Sequence, residues 1–248
     1  MRITTLFFVL FNLLFCQLSS AAFDWSDYSS LLSQHVTNGE REGIHSNLVD
    51  YQAFSQDPKF SRLIERLALF DSTVLTGNEK MAFYLNAYNL LAIKLVSEYQ
   101  PKKSIRDIGT WFSPVWQKPA AVIAGKTVSL DTIEHSILRK MNEPRVHFAL
   151  VCASISCPDL RTEAYNSKDL DHQLEQQTKN FLANKEKGLH IKGETVYISK
   201  IFDWFTEDFS KNDDAAGVIR FIAKYNIEVG RFSNYETLDY NWNLNQAL

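Results

Sequence analysis

Two cysteines in the middle of the chain are the side chains best suited to chemistry. Cys152 and Cys157 follow an apolar, β-branched run, Val146–Val151, and the dipeptide Pro158-Asp159 comes directly after them. The run predicts a short buried strand, and the dipeptide predicts a turn. Scaffolds often present reactive groups where a strand passes into a loop. The pair could supply a thiolate nucleophile or close a disulfide, and the spacing leaves both interpretations open.

A thiolate nucleophile needs a base, and the preceding segment offers one. Residues 130–141 have apolar side chains at helical spacing, with Glu134 inside the apolar face and His135 at its edge. A carboxylate directed into a core needs a partner, so Glu134 either orients His135 or pairs with an arginine. His147 is a second candidate base. Alternation along the predicted strand puts it on the face opposite Cys152, which disfavours it.

The run from Glu79 to about Tyr99 is apolar in almost every direction, which predicts a buried helix. Asn86 and Asn89 lie within it, about 60° apart around the helix axis. A buried amide must find hydrogen-bond partners or it destabilises the fold. The two asparagines therefore either clamp a neighbouring loop or orient a catalytic group.

The N-terminus has the order of an export signal. Arg2 is followed by an apolar run from Leu6 to Cys16 and then by small residues up to Ala22. This order predicts a secretory signal peptide cleaved near Ala22. The run is short for a membrane span, so we expect a periplasmic or secreted protein that does not span the membrane. Two cysteines remain after cleavage, and an even count in an exported protein suggests a disulfide.

Charge and length narrow the class of protein. The 248 residues contain 26 Lys and Arg against 29 Asp and Glu, a formal charge of −3. Without a basic surplus, nucleic acid is not an expected partner. The length suits one domain with a sizeable core.

The remaining patterns predict an α+β fold. Helical spacing dominates the N-terminal half around the buried central helix, and hairpin signals follow at 122–128 and 188–198. We expect a small mixed or antiparallel sheet built from these hairpins and the strand at 146–151. The predicted organisation is a signal peptide over 1–22, an N-terminal helical extension over 23–46 and a single domain over 47–248.

Several motifs, in order, resemble those of one family. They are Phe83-Tyr84-Leu85-Asn86-Ala87-Tyr88-Asn89, Ile133–Arg139, His147–Cys152 with Cys157–Arg161, Ile201–Phe205 and Tyr240–Asn245. On these motifs, from roughly Asn47 onwards, the chain resembles an exported, bacterial-type member of the family called domain of unknown function 547 (DUF547). That name assigns no activity. The family pattern has glycine after the first cysteine, where this chain has Ala153, and some members lack the second cysteine. The resemblance thus favours Cys152 as the more functional of the pair.

Three interpretations of the site follow. In the first, the protein is a cysteine-dependent hydrolase or acyltransferase that acts on a peptide or on a cell-envelope amide or ester. The expected catalytic residues are Cys152, His135, Glu134 and Asn86, and the expected substrate-binding residues are Arg139, Arg161 and Asn89. In the second, a Cys152–Cys157 disulfide pins the loop of a non-catalytic binding or scaffold domain. In the third, these side chains hold zinc, but neither a Cys-x-x-Cys nor a His-Glu-x-x-His motif is present, so no cofactor or metal is predicted.

Overall fold

The computed structural model describes residues 22–212 and 214–247. The α-helices are α1 Ser26–His35, α2 Tyr51–Gln56, α3 Pro58–Leu69, α4 Gly77–Tyr99, α5 Leu170–Ala183, α6 Lys200–Trp204, α7 Thr206–Phe209 and α8 Ala215–Ala223. The strands are β1 Val36–Arg41, β2 Ile44–Val49, β3 Ala121–Ile123, β4 Lys126–Val128, β5 Leu189–Lys192, β6 Thr195–Ile198 and β7 Glu236–Thr237. Within these residues, no helix combines the length and apolar character that a membrane span requires. The signal peptide predicted over 1–22 lies, apart from Ala22, outside the described residues.

Helix α4 is the centre of the larger of two hydrophobic cores. All residues from 81 to 93 are buried, so the helix meets neighbours on every side, as predicted. The helix ends where Gln100 adopts a left-handed backbone (φ 47°), and Pro101 cannot continue it. The second core is smaller and rich in aromatic side chains, among them Phe148, Phe202 and Phe221.

The strands form small sheets rather than one large one. β1 pairs with β2 and β3 with β4 as antiparallel hairpins, and β5, β6 and β7 form a three-stranded sheet in which β6 and β7 are parallel. The predicted hairpins at 122–128 and 188–198 are confirmed, and so is the α+β class. The β1–β2 hairpin spans the boundary predicted between residues 46 and 47, and that domain boundary stays a prediction.

The strand predicted at 146–151 is wrong. Residues Pro144–Phe148 form a 3-10 helix, and no residue of 146–151 pairs in a sheet of the described residues. Pro144 has the fixed φ of a helical first turn, and the Glu143 side chain accepts a hydrogen bond from the Arg145 amide, which caps that turn. The segment is apolar because it runs between the two cores: Val146 and Leu150 pack in the larger one and Phe148 in the smaller.

Candidate functional site

A cavity of about 260 Å³ is lined by residues of both cores and contains both cysteines. Its walls are largely aromatic, formed by Tyr88, Trp116, Trp204, Phe205, Tyr240 and Trp242. Its polar lining comprises Asp131, Glu134, His135, His147 and Cys152. The cavity therefore combines apolar walls with a few convergent polar groups, which is the composition expected of a ligand site.

Cys152 and Cys157 form a disulfide, with their Cα atoms 6.1 Å apart. Cys152 is half-buried, whereas Cys157 is only 2% exposed. Two hydroxyl groups contact the sulfur of Cys152: Ser154 Oγ at 3.2 Å and Tyr240 Oη at 3.3 Å. In this state neither sulfur is a thiolate, and Cys152 is the more exposed of the two residues.

The C-terminal tail fixes the loop that carries the disulfide. The Ile155 amide donates to the Asn243 carbonyl at 2.8 Å, and the Asn241 amide donates to Ser156 Oγ at 2.9 Å. A further bridge pairs Ser154 with Leu244. Backbone pairing on both sides of the loop leaves it little freedom, so the sulfur atoms are held in place.

The residue after Cys152 has a left-handed backbone. Ala153 has φ 60°, a conformation that glycine adopts without steric cost and that costs an alanine about 1 kcal/mol. The left-handed backbone thus explains why the DUF547-like pattern favours glycine at this position. Here the Ala153 methyl group is buried at 2% exposure.

His147 is held by a carboxylate in the same cavity as Cys152. Its Nε2 lies 2.7 Å from Oδ2 of Asp208, and its ring stacks on Phe205 with the ring centroids 4.1 Å apart. Burial would raise the pKa of Asp208, but hydrogen bonds from His147 and Arg139 outweigh burial and lower the pKa to about 2. An ionised carboxylate only accepts, so Nε2 of His147 carries a proton. This is how a carboxylate orients a catalytic imidazole.

The predicted separation of His147 from Cys152 is wrong. It assumed strand alternation, and the 3-10 helix at 144–148 removes that alternation. Both residues line the same cavity.

His135 and Glu134 also line the cavity, on a π-helical turn, Thr132–Leu138, within the predicted helix. Nη1 of Arg139 lies 2.8 Å from Nδ1 of His135, and because a guanidinium only donates, Nδ1 is occupied as an acceptor.

Glu134 Oε2 accepts a hydrogen bond from Tyr88 Oη at 3.2 Å and forms no ion pair among the described residues. Its expected pairing with an arginine is therefore not observed. Burial, with Glu134 adding to it, raises the pKa of Tyr88 well above its usual range.

Asn86 and Asn89 clamp loops rather than line the cavity. The amide group of Asn86 exchanges two hydrogen bonds with the backbone of Tyr165, at 2.9 and 2.8 Å. Asn89 donates to the Ala149 carbonyl and accepts from the Val151 amide, both at 2.9 Å. Only Asn89 thus holds the segment that leads into the disulfide loop.

The two arginines predicted to bind substrate also lie outside the cavity lining. Arg139 is bound by Asp208 and Glu207 behind His147. Arg161 donates to Gln176 at 2.9 Å and pairs with Glu163. Both guanidinium groups are already paired within the fold.

Part of the chain is similar to one known protein family. Residues 72–182 match the model of the family described as "Protein of unknown function, DUF547". No curated protein and no solved structure matches the chain. The DUF547 match supports the resemblance found in the sequence, over a shorter range than the one predicted from about residue 47 onwards. It includes both cysteines and His147, and it ends before Asp208 and Tyr240.

Asp208 and Tyr240 were not among the predicted site residues. Asp208 is 61 residues from His147 and lies beyond the segment that matches DUF547, so no local spacing connects the pair. Tyr240 begins the tail motif Tyr240–Asn245, which already resembled the DUF547 pattern, and that motif was the sequence signal that could have identified Tyr240.

Among residues 22–212 and 214–247, no three or more His, Cys, Asp or Glu side chains are grouped to hold a metal ion.

We expect acid to weaken the fold through Asp208. Its pKa of about 2 lies below the ordinary 3.8, so its stabilising contribution is complete above pH 3.8 and is lost as the pH falls through 2. The side chain is 21% exposed, and the shift corresponds to about 2 kcal/mol. Urea unfolding across this pH window should show the wild type losing about that much more free energy than Asp208→Asn. Equal losses of unfolding free energy in the two proteins would contradict this contribution of Asp208 to stability.

Proposed function

We propose that this protein is a cysteine-dependent hydrolase or acyltransferase and that its disulfide form is a resting state. The observation that carries the proposal is the cavity shared by Cys152 and His147, with Asp208 bound behind the imidazole. Nucleophile, base and orienting carboxylate are the parts that nucleophilic acyl transfer requires. His147 replaces His135 as the proposed base, because Arg139 occupies Nδ1 of His135.

The proposed cycle begins with reduction. A dithiol reductant supplies two electrons and two protons, and Cys152 and Cys157 become thiols while the reductant becomes a disulfide. Nδ1 of His147 takes the proton of the Cys152 thiol, and the thiolate attacks the carbonyl carbon of an amide or ester. The leaving amine or alcohol receives the proton from His147, and a thioester remains on Cys152. Water, or an acceptor amine or alcohol, then releases the acyl group and restores the thiol.

The hydroxyl groups beside the disulfide suit this chemistry. Burial raises the pKa of Tyr240, so its phenol keeps a proton to donate at any ordinary pH. Tyr240 Oη lies 3.3 Å from the sulfur of Cys152 and 3.2 Å from that of Cys157. A fixed O–H donor beside the sulfur favours the thiolate over the thiol.

The cavity walls limit the proposed substrate. An open cavity of about 260 Å³ with largely aromatic walls suits one apolar side chain or acyl group next to the reacting carbonyl. We therefore keep a peptide or a cell-envelope amide or ester as the substrate class. The predicted signal peptide and the disulfide both support a periplasmic or secreted location for this reaction.

The first test measures the reactivity of Cys152 after reduction. Reduced protein is alkylated with a small electrophile from about pH 5 to about pH 9, and the adduct is located by mass spectrometry. We expect selective labelling of Cys152 with an apparent pKa well below about 8.5. His147→Gln keeps a hydrogen-bond donor for Asp208 but removes the base, so the apparent pKa should rise towards about 8.5.

His135→Gln is the matched control, because it alters the other histidine of the cavity. It should leave the apparent pKa of Cys152 close to that of the wild type. A larger effect from His135→Gln than from His147→Gln would contradict the assignment of the base. If Cys152 of the wild type has an apparent pKa near the ordinary value of about 8.5, the proposal that the protein is an enzyme is contradicted.

The second candidate function is a non-catalytic binding domain, and the disulfide favours it. While the Cys152–Cys157 bond is intact, the cavity has no nucleophilic sulfur but keeps its aromatic walls. On this proposal the bond pins the loop permanently. A disulfide that resists dithiol reductants in the folded protein would favour the binding domain over the enzyme.

A further inference from the structure

Two large aromatic side chains project from one tight turn. Trp111 is 91% exposed and Phe112 is 94% exposed. Reciprocal backbone hydrogen bonds of 2.9 and 3.2 Å between Thr110 and Ser113 close the turn behind them. Among the described residues, no other two strongly exposed large hydrophobic side chains are adjacent in sequence. Such a paired apolar tip is the kind of surface feature that marks an interaction site.

The base of this turn is packed, so the exposure of the two rings is part of the fold. The Gly109 backbone passes so close to the chain beyond the turn that a Cβ would lie 2.5 Å from the Val115 nitrogen. Val115 itself is 1% exposed and belongs to the larger core. The turn therefore stands on a fixed base and presents its aromatic side chains outwards.

The surrounding segment is basic, in contrast to the chain as a whole. Residues 102–118 contain four basic side chains and one acidic one, a net charge of +3, while the whole chain carries −3. The basic residues are Lys102, Lys103, Arg106 and Lys118. Within residues 22–212 and 214–247, none of them has a carboxylate within 4.0 Å. The acidic residue, Asp107, instead accepts a hydrogen bond from the Ser104 amide at 3.0 Å.

Two of the basic side chains lie beside the aromatic tip. Lys103, Arg106 and Trp111 line a single surface groove together with Trp116 and Trp242. Trp116 and Trp242 also line the disulfide cavity. The exposed tip, the positive charge and one wall of the cavity thus lie next to one another.

We propose that this face docks the protein onto the surface of an anionic phospholipid bilayer. Aromatic side chains at a protruding tip insert favourably at the boundary between lipid headgroups and acyl chains, and lysine and arginine side chains that form no ion pair are attracted to anionic headgroups. Arg106 stacks over the Trp242 ring and Lys118 over the Tyr99 ring, and these contacts leave their positive charges unneutralised. A protein partner would need a pocket shaped to receive both rings, whereas a fluid bilayer adapts to a convex tip. The net positive charge of residues 102–118 favours anionic lipid over zwitterionic lipid.

Vesicle co-sedimentation tests the docking. Protein beginning at Phe23, which lacks the predicted signal peptide, is mixed with phosphatidylcholine vesicles or with vesicles that also contain phosphatidylglycerol. We expect binding to the anionic vesicles, and a loss of binding as the salt concentration rises from about 0.01 M to about 1 M, because salt screens the headgroup charge. The double variant Trp111→Ser/Phe112→Ser should bind at least about tenfold more weakly. Lys102→Glu/Lys103→Glu should remove the preference for anionic vesicles.

Ile227→Ser is the matched control, since Ile227 is also strongly exposed, at 84%, but lies outside the basic segment. It should bind like the wild type. Substitutions at sites this exposed leave the core intact, and an unchanged melting temperature verifies that. Absence of binding to anionic vesicles at low salt, or equal binding by the wild type and the Trp111→Ser/Phe112→Ser variant, would overturn the docking.

Discussion

Replacing Asp159 with alanine should lower the free energy of unfolding by about 3–5 kcal/mol. Asp159 is the carboxylate partner of Lys187, whose side chain has no exposed surface. Lys187 Nζ lies 2.7 Å from Asp159 Oδ1 and 2.9 Å from Ser46 Oγ. Burial lowers the pKa of Lys187, and the attraction of Asp159 opposes that shift. Without the carboxylate, the fold must bury an ammonium group that has a single hydroxyl partner.

The same carboxylate joins the disulfide loop to the N-terminal hairpin. Asp159 follows Cys157 by two residues, and its Oδ1 accepts hydrogen bonds from the Asn47 amide and Ser46 Oγ, both at 2.9 Å. Loss of Asp159 therefore also loosens the loop that carries the sulfur atoms. We attribute the large expected effect to the unpaired charge and a smaller part of it to these bonds.

A double-mutant cycle separates the two contributions. Asp159→Ala combined with Lys187→Met leaves no buried charge without a partner, so the double variant should recover much of the stability that Asp159→Ala loses. Lys179→Met is the surface control. Its ion pair with Glu175 is partly exposed, and its loss should change the free energy of unfolding by less than about 0.5 kcal/mol. Urea unfolding at neutral pH measures the wild type, Asp159→Ala, Lys187→Met, the double variant and the Lys179→Met control. If the losses of Asp159→Ala and Lys187→Met simply add in the double variant, the energetic coupling of the buried pair is contradicted.

The sequence was sufficient for the elements that depend on local pattern. Helix α4 is apolar in almost every direction, and every residue from 81 to 93 is buried, which is the environment that such a pattern predicts. The later hairpins have glycine in their turns, and Gly125 and Gly193 both adopt positive φ. The run at 146–151 was misassigned because full burial looks the same in a strand and in an irregular segment between two cores.

The candidate site was predictable only in part. Cys152, Glu134 and His135 were identified from residue type and patterning, and all three line the cavity. The pair of His147 with Asp208 depends on the packing of helix α7 against the 3-10 helix at 144–148, which no spacing encodes. The wrong strand at 146–151 therefore led to the wrong preference for His135 over His147 as the candidate base. The side-chain direction of His147 was inferred from a strand that does not form.

The two asparagines of α4 allow a positioning role to be distinguished from a purely structural one. We expect Asn86→Ala and Asn89→Ala each to lower the free energy of unfolding by about 2–4 kcal/mol. Each substitution leaves one buried backbone amide and one buried carbonyl without their partner, so the structural losses should be similar. Asn86 is thus a control for Asn89 on the same helix, with the same chemistry and nearly the same burial, 1% and 3% exposed.

Only Asn89→Ala should also change the chemistry of Cys152. Its lost bonds are to Ala149 and Val151, immediately before Cys152, whereas those of Asn86 are to Tyr165. A shift of the sulfur by even a fraction of an ångström weakens its contact with Tyr240 and disturbs the alignment with His147 that the proposed proton transfer requires. In the reduced protein, alkylation of Cys152 should slow by about tenfold in Asn89→Ala and stay near the wild-type rate in Asn86→Ala. Equal slowing in both variants would mean that a general loosening of α4, rather than the position of the cysteine loop, controls the reactivity of the Cys152 sulfur.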